Sequence, residues 1–125
     1  MADRRRAERR GRLAEWRAAL ALQVKGYRIL GRRIRTPVGE IDLIARRGPT
    51  IAFIEVKARP DAVSAMEAVT AASRVRIQNA ADYWMARRPD LHELGWRYDI
   101  VTVSPQQWPL HIRDAWRPDF AASRL

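Results

Sequence analysis

The segment GEIDLIARRGPTIAFIEVKAR, from Gly39 to Arg59, constrains this chain more than any other. Apolar residues flank Arg47–Thr50, the pattern of two antiparallel strands joined by a tight turn. Yet the first strand carries Asp42, and the second carries Glu55 and Lys57. Charges inside apolar strands are costly to bury unless they are paired or bound to a metal.

With Arg47–Thr50 as the turn, Arg46 faces Ile51. Pairing then steps outward through Ala45–Ala52, Ile44–Phe53, Leu43–Ile54, Asp42–Glu55, Ile41–Val56 and Glu40–Lys57. Side chains alternate between faces. One face holds Ile44, Phe53, Asp42, Glu55, Glu40 and Lys57; the other holds Leu43, Ile54, Ile41 and Val56. Two carboxylates then stand opposite each other, roughly 4.5–5.5 Å apart at Cβ, where like charges destabilise a sheet. Mg²⁺ relieves that repulsion, because it takes one or two carboxylates, keeps its waters and bridges to phosphate. Lys57 follows Glu55 by two residues, about 7 Å along the same face. There it can hold an attacking water or stabilise charge building on a phosphate. The competing reading is a Glu40–Lys57 ion pair, with Asp42 and Glu55 turned to solvent. Apolar neighbours on both faces of the hairpin weigh against it.

Charge points to the same class of partner. Lysine and arginine number 24 against 14 acids, a net charge of +10 on 125 residues. A field of that sign suits a polyanion, most simply nucleic acid. An anionic membrane is the rival surface, but no strongly amphipathic basic helix with a Trp/Phe/Leu face is read here. No apolar stretch is long enough to span a bilayer, and the basic N-terminus leads into no signal-peptide core. The lack of cysteine rules out disulfides and thiolate metal sites and fits a reducing, cytoplasmic setting. Only Lys25 and Lys57 break the use of arginine. Lysine supplies a compact charge that titrates, where arginine supplies a planar fork that does not.

Around the hairpin, the spacing predicts a helix over residues 3 to 25, with Leu13, Trp16, Leu20 and Val24 as its buried stripe and Gly26 as its stop. Glu15 lies off that stripe, in line with Ala19 and Leu22, at the edge of the buried face. Residues 27 to 35 read as a strand with a bulge at Gly31. A loop is expected from Pro60 to about Val69. A second helix follows from a Thr70 N-cap to about Arg88, with Ile77, Ala81 and Trp84 inward. Strands are predicted over 96–103 and 109–116. The sum is a single domain over residues 1–125, with about ten N-terminal and eight C-terminal residues expected to fray.

GEID followed by IEVKAR resembles the D…E-x-K signature of the PD-(D/E)XK nuclease superfamily. From GRLAEWRAALALQVKGYRIL through TPVGEIDLIARR and IAFIEVKAR to WRYDIV, the chain is similar to the YraN-like family of endonuclease-like proteins, themselves similar to archaeal Holliday junction resolvases. The resemblance covers residues 11 to 117. It implies an α/β fold, the αβββαβ restriction-endonuclease-like core with a central mixed sheet. It implies Mg²⁺ or Mn²⁺ on Asp42 and Glu55, a catalytic Lys57, and Glu15 approaching the site from the first helix. The superfamily's proline before the aspartate is absent, and Ile41 stands in its place. The implied substrate is nucleic acid, with DNA favoured and branched DNA included; a binding module that keeps the fold without cutting is the alternative. Symmetric cutting of a junction would require a homodimer, and no dimer surface is legible in the sequence.

Arg28, Arg32, Arg33, Arg35, Arg59, Arg74 and Arg76 are the candidate phosphate contacts, chosen by charge and nearness in sequence. His92 and His111 have no metal-ligand spacing and are expected on the surface or in loops. Asp99, inside an apolar strand, is read as holding an arginine or edging the active site, with the structural role favoured. The five tryptophans are expected mostly in the core; for Trp108, in a loop, packing is favoured over stacking on a base.

Overall fold

The computed structural model describes residues 2–118. The chain runs α1 (Ala2–Val24), β1 (Arg28–Thr36), β2 (Gly39–Arg47), β3 (Thr50–Lys57), α2 (Ala62–Ala68), α3 (Ala71–Ala86), a short 3₁₀ turn (Pro89–Leu91), β4 (Gly95–Thr102) and β5 (Leu110–Trp116). The strands form one mixed sheet in the order β1-β2-β3-β4-β5. Only β3 and β4 are parallel, and the chain between them supplies α2 and α3 as the crossover. The C-terminal residues expected to fray lie, from 119 on, outside the described residues.

The two faces of the sheet carry separate cores. On one, α1 covers Leu43, Ala45, Ala52, Ile54 and Val101. On the other, α3 lies over Ile41, Ile44, Ile51, Phe53 and Ile100. Strand β3 is covered on both sides, which explains why Ile51, Ala52, Phe53 and Ile54 are all apolar rather than alternating.

Helix α1 forms as expected but turns the other way. Leu13, Trp16, Leu20 and Val24 are 58%, 56%, 39% and 68% exposed, and Ala14, Ala18, Ala19, Ala21 and Leu22 face the sheet instead. Small residues let the helix backbone lie close to the sheet, whereas the bulky stripe would hold it away. The tryptophans depart from expectation as well. Of the five, Trp116 is buried, while Trp16, Trp96 and Trp108 are exposed. The expected loop before α3 contains α2, which starts where Asp61 accepts the Ser64 N–H at 2.7 Å. Thr70 caps α3 as expected. The β1–β2 register slips between Ile29 and Gly31, at the anticipated bulge.

One fully buried carboxylate organises the β4–β5 edge. Asp99 accepts from Arg97 Nε and Nη2, each at 2.8 Å, from His111 Nε2 at 2.7 Å and from the Asp114 N–H at 2.9 Å. His111 is therefore not a surface or loop residue: it lies on β5, its side chain 5% exposed, with Nδ1 2.7 Å from Lys25 Nζ. Burial pushes the Asp99 carboxyl up, but the hydrogen bonds from His111, Arg97 and Asp114 outweigh it and hold it below the usual carboxylate range. Truncating Asp99 removes the carboxylate that pairs with both Arg97 and His111. Asp99→Ala should lower stability in urea by about 3–5 kcal/mol, against less than about 1 kcal/mol for Trp108→Ala. A cost near that of Trp108→Ala would mean that the network carries no structural weight.

Candidate functional site

The β2–β3 hairpin follows the expected register from Arg47↔Thr50 to Leu43↔Ile54, and there the ladder ends. Beyond it the Val56 N–H donates to Asp42 Oδ2 at 2.8 Å, a side-chain oxygen in the role a backbone carbonyl would fill. On the other side of β2, Arg33 has φ 50 between the Arg32↔Leu43 and Ile34↔Ile41 pairs. A left-handed residue in a strand breaks its alternation. Ile41 consequently packs in the α3-side cluster with Ile44 and Phe53, not with Leu43 and Ile54 as alternation predicts. The expected ladder pairs Asp42–Glu55, Ile41–Val56 and Glu40–Lys57 do not form. Glu40 instead pairs with Arg35, 3.7 Å away on the exposed hairpin.

The chemistry nevertheless converges. Lys57 Nζ stands 3.4 Å from Glu55 Oε1, both side chains mostly buried. The carboxyl groups of Asp42 and Glu55 lie close enough for each to shift the other's protonation. Both are pushed up from the ordinary range. For Asp42 burial is the main cause, opposed by the hydrogen bonds from Val56 and Glu55 and by the charge of Lys57. For Glu55 burial and then the charge of Asp42 raise it to about 7, with Lys57 pulling the other way. Near neutral pH this pair therefore holds a proton that isolated carboxylates would have lost.

Glu15 reaches toward the pair from α1, on the line through Ala19 and Leu22 that packs on the sheet. Burial and the charge of Asp42 raise its carboxyl, while Arg33 and Arg12 lower it. Arg33 Nε donates to Glu15 Oε2 at 2.8 Å. Arg12 is a neighbour that sequence reasoning missed; only its helical offset from Glu15 could have signalled it. Among the described residues, no three histidine, aspartate or glutamate side chains converge in a metal-binding cluster. The donors that meet are Asp42 and Glu55, two hard oxygen ligands in a partly buried place beside Lys57. That set fits a Mg²⁺- or Mn²⁺-type ion completed by water and phosphate oxygens.

The candidate arginines divide. Arg33 is at the site, and Arg59 is exposed just beyond β3. Arg32 and Arg35 are exposed on β1 near the hairpin, whereas Arg28 pairs with Arg46 at the far end of that ladder. Arg76 is exposed on α3, where its backbone carbonyl closes on Gly39. Arg74 faces the opposite side of α3.

Glu55 makes stability depend on pH. Between its ordinary value of 4.5 and about 7 it is protonated in the folded state and ionised in the unfolded one. Its contribution is complete below the unfolded value and is lost as pH rises through about 7. In EDTA, the wild type should lose roughly 2–3 kcal/mol from this group between about pH 5 and pH 8. Urea titrations of wild type and Glu55→Gln across that range check it. The variant should lack this part of the slope, and parallel profiles would contradict the assignment.

A family model described as "Uncharacterised protein family UPF0102" matches residues 14–103, a span that includes Glu15, Asp42, Glu55 and Lys57. A UPF0102 protein of Chelativorans sp. (strain BNC1) is 54% identical over 112 residues, 90% of each chain. One from Mesorhizobium japonicum is 54% identical over 114 residues, 91% of each chain. One from Maricaulis maris is 52% identical over 122 residues, 98% of this chain and 96% of that one. With two thirds or more of both chains aligned at such identity, the chain belongs to the UPF0102 family.

Proposed function

We propose that this protein is a metal-dependent nuclease of the restriction-endonuclease-like, PD-(D/E)XK type, hydrolysing phosphodiester bonds in DNA, including branched DNA. The observation that carries the reading is the covered Asp42–Glu55 pair with Lys57 3.4 Å from Glu55. Two half-buried carboxyls in mutual contact are an expensive arrangement in a strand pair, and a bound cation gives it a purpose.

Asp42 and Glu55 would hold Mg²⁺ or Mn²⁺, which supplies positive charge at the scissile phosphate. Asp42 is fixed for that role by the Val56 N–H, which leaves its second oxygen free of the backbone. Lys57 keeps its ammonium beside the pair, where it can orient a water or neutralise charge developing on phosphate oxygens. Glu15 tunes the site through its carboxyl, steadied by Arg33. Arg32, Arg33, Arg35, Arg59 and Arg76, with Arg12, would hold the flanking phosphates. A net charge of +10 with no base-reading motif favours backbone contacts over sequence readout. Symmetric cutting of a junction would take two copies.

The binding-module alternative draws on one observation: Glu15 is committed to Arg33, so two carboxylates rather than three face the cation. Linear duplex, single-stranded and four-way-junction DNA, each with Mg²⁺, Mn²⁺ or EDTA, separate the readings. Cleavage should require metal. Lys57→Arg should lose about a hundredfold in rate while its affinity stays within about threefold, because the planar head cannot occupy the ammonium's place. Affinity should fall with salt at a log–log slope of roughly −4 to −7, as about five to eight phosphate contacts require. Steep salt dependence without cleavage under any metal would leave the binding module. A flat salt response would remove nucleic acid altogether.

A further inference from the structure

On the α3 side of the sheet, past β4 and β5, lies an open groove of about 1120 Å³ that the site above does not use. Its wall is one face of α3, carrying Arg74, Gln78, Asn79 and Asp82; Trp96 and Trp116 contribute from the strands. Arg74 to Asp82 spans about 12 Å of helix axis.

One of its polar groups lacks a partner. Arg74 Nε is buried and has no hydrogen-bond partner among the described residues, with the guanidinium 5.5 Å over the Trp116 ring. A buried donor without an acceptor is costly, and a turn of the side chain toward a ligand oxygen or ring nitrogen in the groove would relieve it. Trp116 Nε1 donates to Gln78 Oε1 at 3.1 Å. An indole N–H can only donate, so the amide orientation of Gln78 is set and its NH₂ is left free to donate. Asn79 adds a donor and an acceptor, and Asp82 adds acceptors. Trp96, 40% exposed and held edge-on against Phe53, supplies a flat ring at the end of the row.

A flat ring, mixed donors and acceptors along one wall, and an unpaired guanidinium together match an unpaired nucleotide: a base to stack, base edges to bond, an anionic backbone to neutralise. We propose that this groove binds a single-stranded segment of the nucleic-acid substrate. The proposal rests on the nucleic-acid reading above. Arg76 faces the hairpin that carries Asp42, while Arg74 faces the groove. The first turns of α3 therefore separate the two sites, and a strand leaving a duplex at one would cross them to enter the other.

The test measures affinity in EDTA, at one salt concentration, for a blunt duplex and for the same duplex with a short single-stranded tail. Wild type should prefer the tailed form. Trp96→Ala should weaken tailed binding about tenfold and leave the blunt duplex within twofold. Trp96→Phe should keep most of the preference, and Arg74→Gln should lower it without touching Trp96. Melting curves identify a variant that fails to fold, and the remaining two variants then decide. Blunt-duplex binding with no tail preference, or with a preference all three variants retain, overturns the groove proposal and spares the nucleic-acid reading. Failure of wild type to bind either duplex overturns that reading, and the groove proposal with it.

Discussion

The hydrogen bond from the Val56 N–H to Asp42 marks the place where β2 and β3 stop being a ladder. Up to Leu43↔Ile54 the strands are joined by backbone pairs and buried on both faces. One step further, a carboxylate takes over the acceptor role, and β2 turns its next apolar residue, Ile41, to the α3 side. Where the strands part, Asp42, Glu55 and Lys57 still share one half-buried space. The irregularity is thus the site's foundation, and Arg33 at φ 50 is its counterpart on β1.

The chain handles its buried carboxylates in two ways, and the contrast separates structure from chemistry. Asp99 is surrounded by donors, namely Arg97, His111 and the Asp114 N–H, and its carboxyl is held low. It is a finished network with nothing left to bind. Asp42 and Glu55 share one backbone donor and one lysine, lean on each other, and are pushed up. Their charge is unfinished. A site meant only for stability would more cheaply have received apolar side chains there.

Much of this was legible in the sequence. The hairpin turn, its first pairs, the Gly31 bulge, the Thr70 cap and the element order apart from α2 follow from local chemistry that acts over a few residues. The convergence of Asp42, Glu55 and Lys57 was legible because charges in apolar strands need partners, although the ladder assumed for it stops three pairs short, before Asp42. What failed depended on tertiary choice. Helix α1 has two faces able to pack, and periodicity favoured the larger side chains over the alanines that fit closest to the sheet. His111 gave no signal because its partners, Asp99 and Lys25, are remote in sequence. Ile41 was misplaced because no residue type announces that an arginine will adopt a left-handed conformation.

The central claim is that a divalent cation belongs between Asp42 and Glu55, and thermal melts of wild type and Asp42→Asn, each in EDTA and in Mg²⁺, test it most directly. For a millimolar site at about 10 mM ion, binding linkage stabilises the folded wild type by about 1.4 kcal/mol. That corresponds to a rise of roughly 3–6 °C in Tm for a domain of this size. Asp42→Asn, its repulsion with Glu55 relieved, should melt no lower than wild type in EDTA and stay within about 1 °C when Mg²⁺ is added. Identical responses of the two proteins to Mg²⁺, repeated with Mn²⁺, would contradict the account.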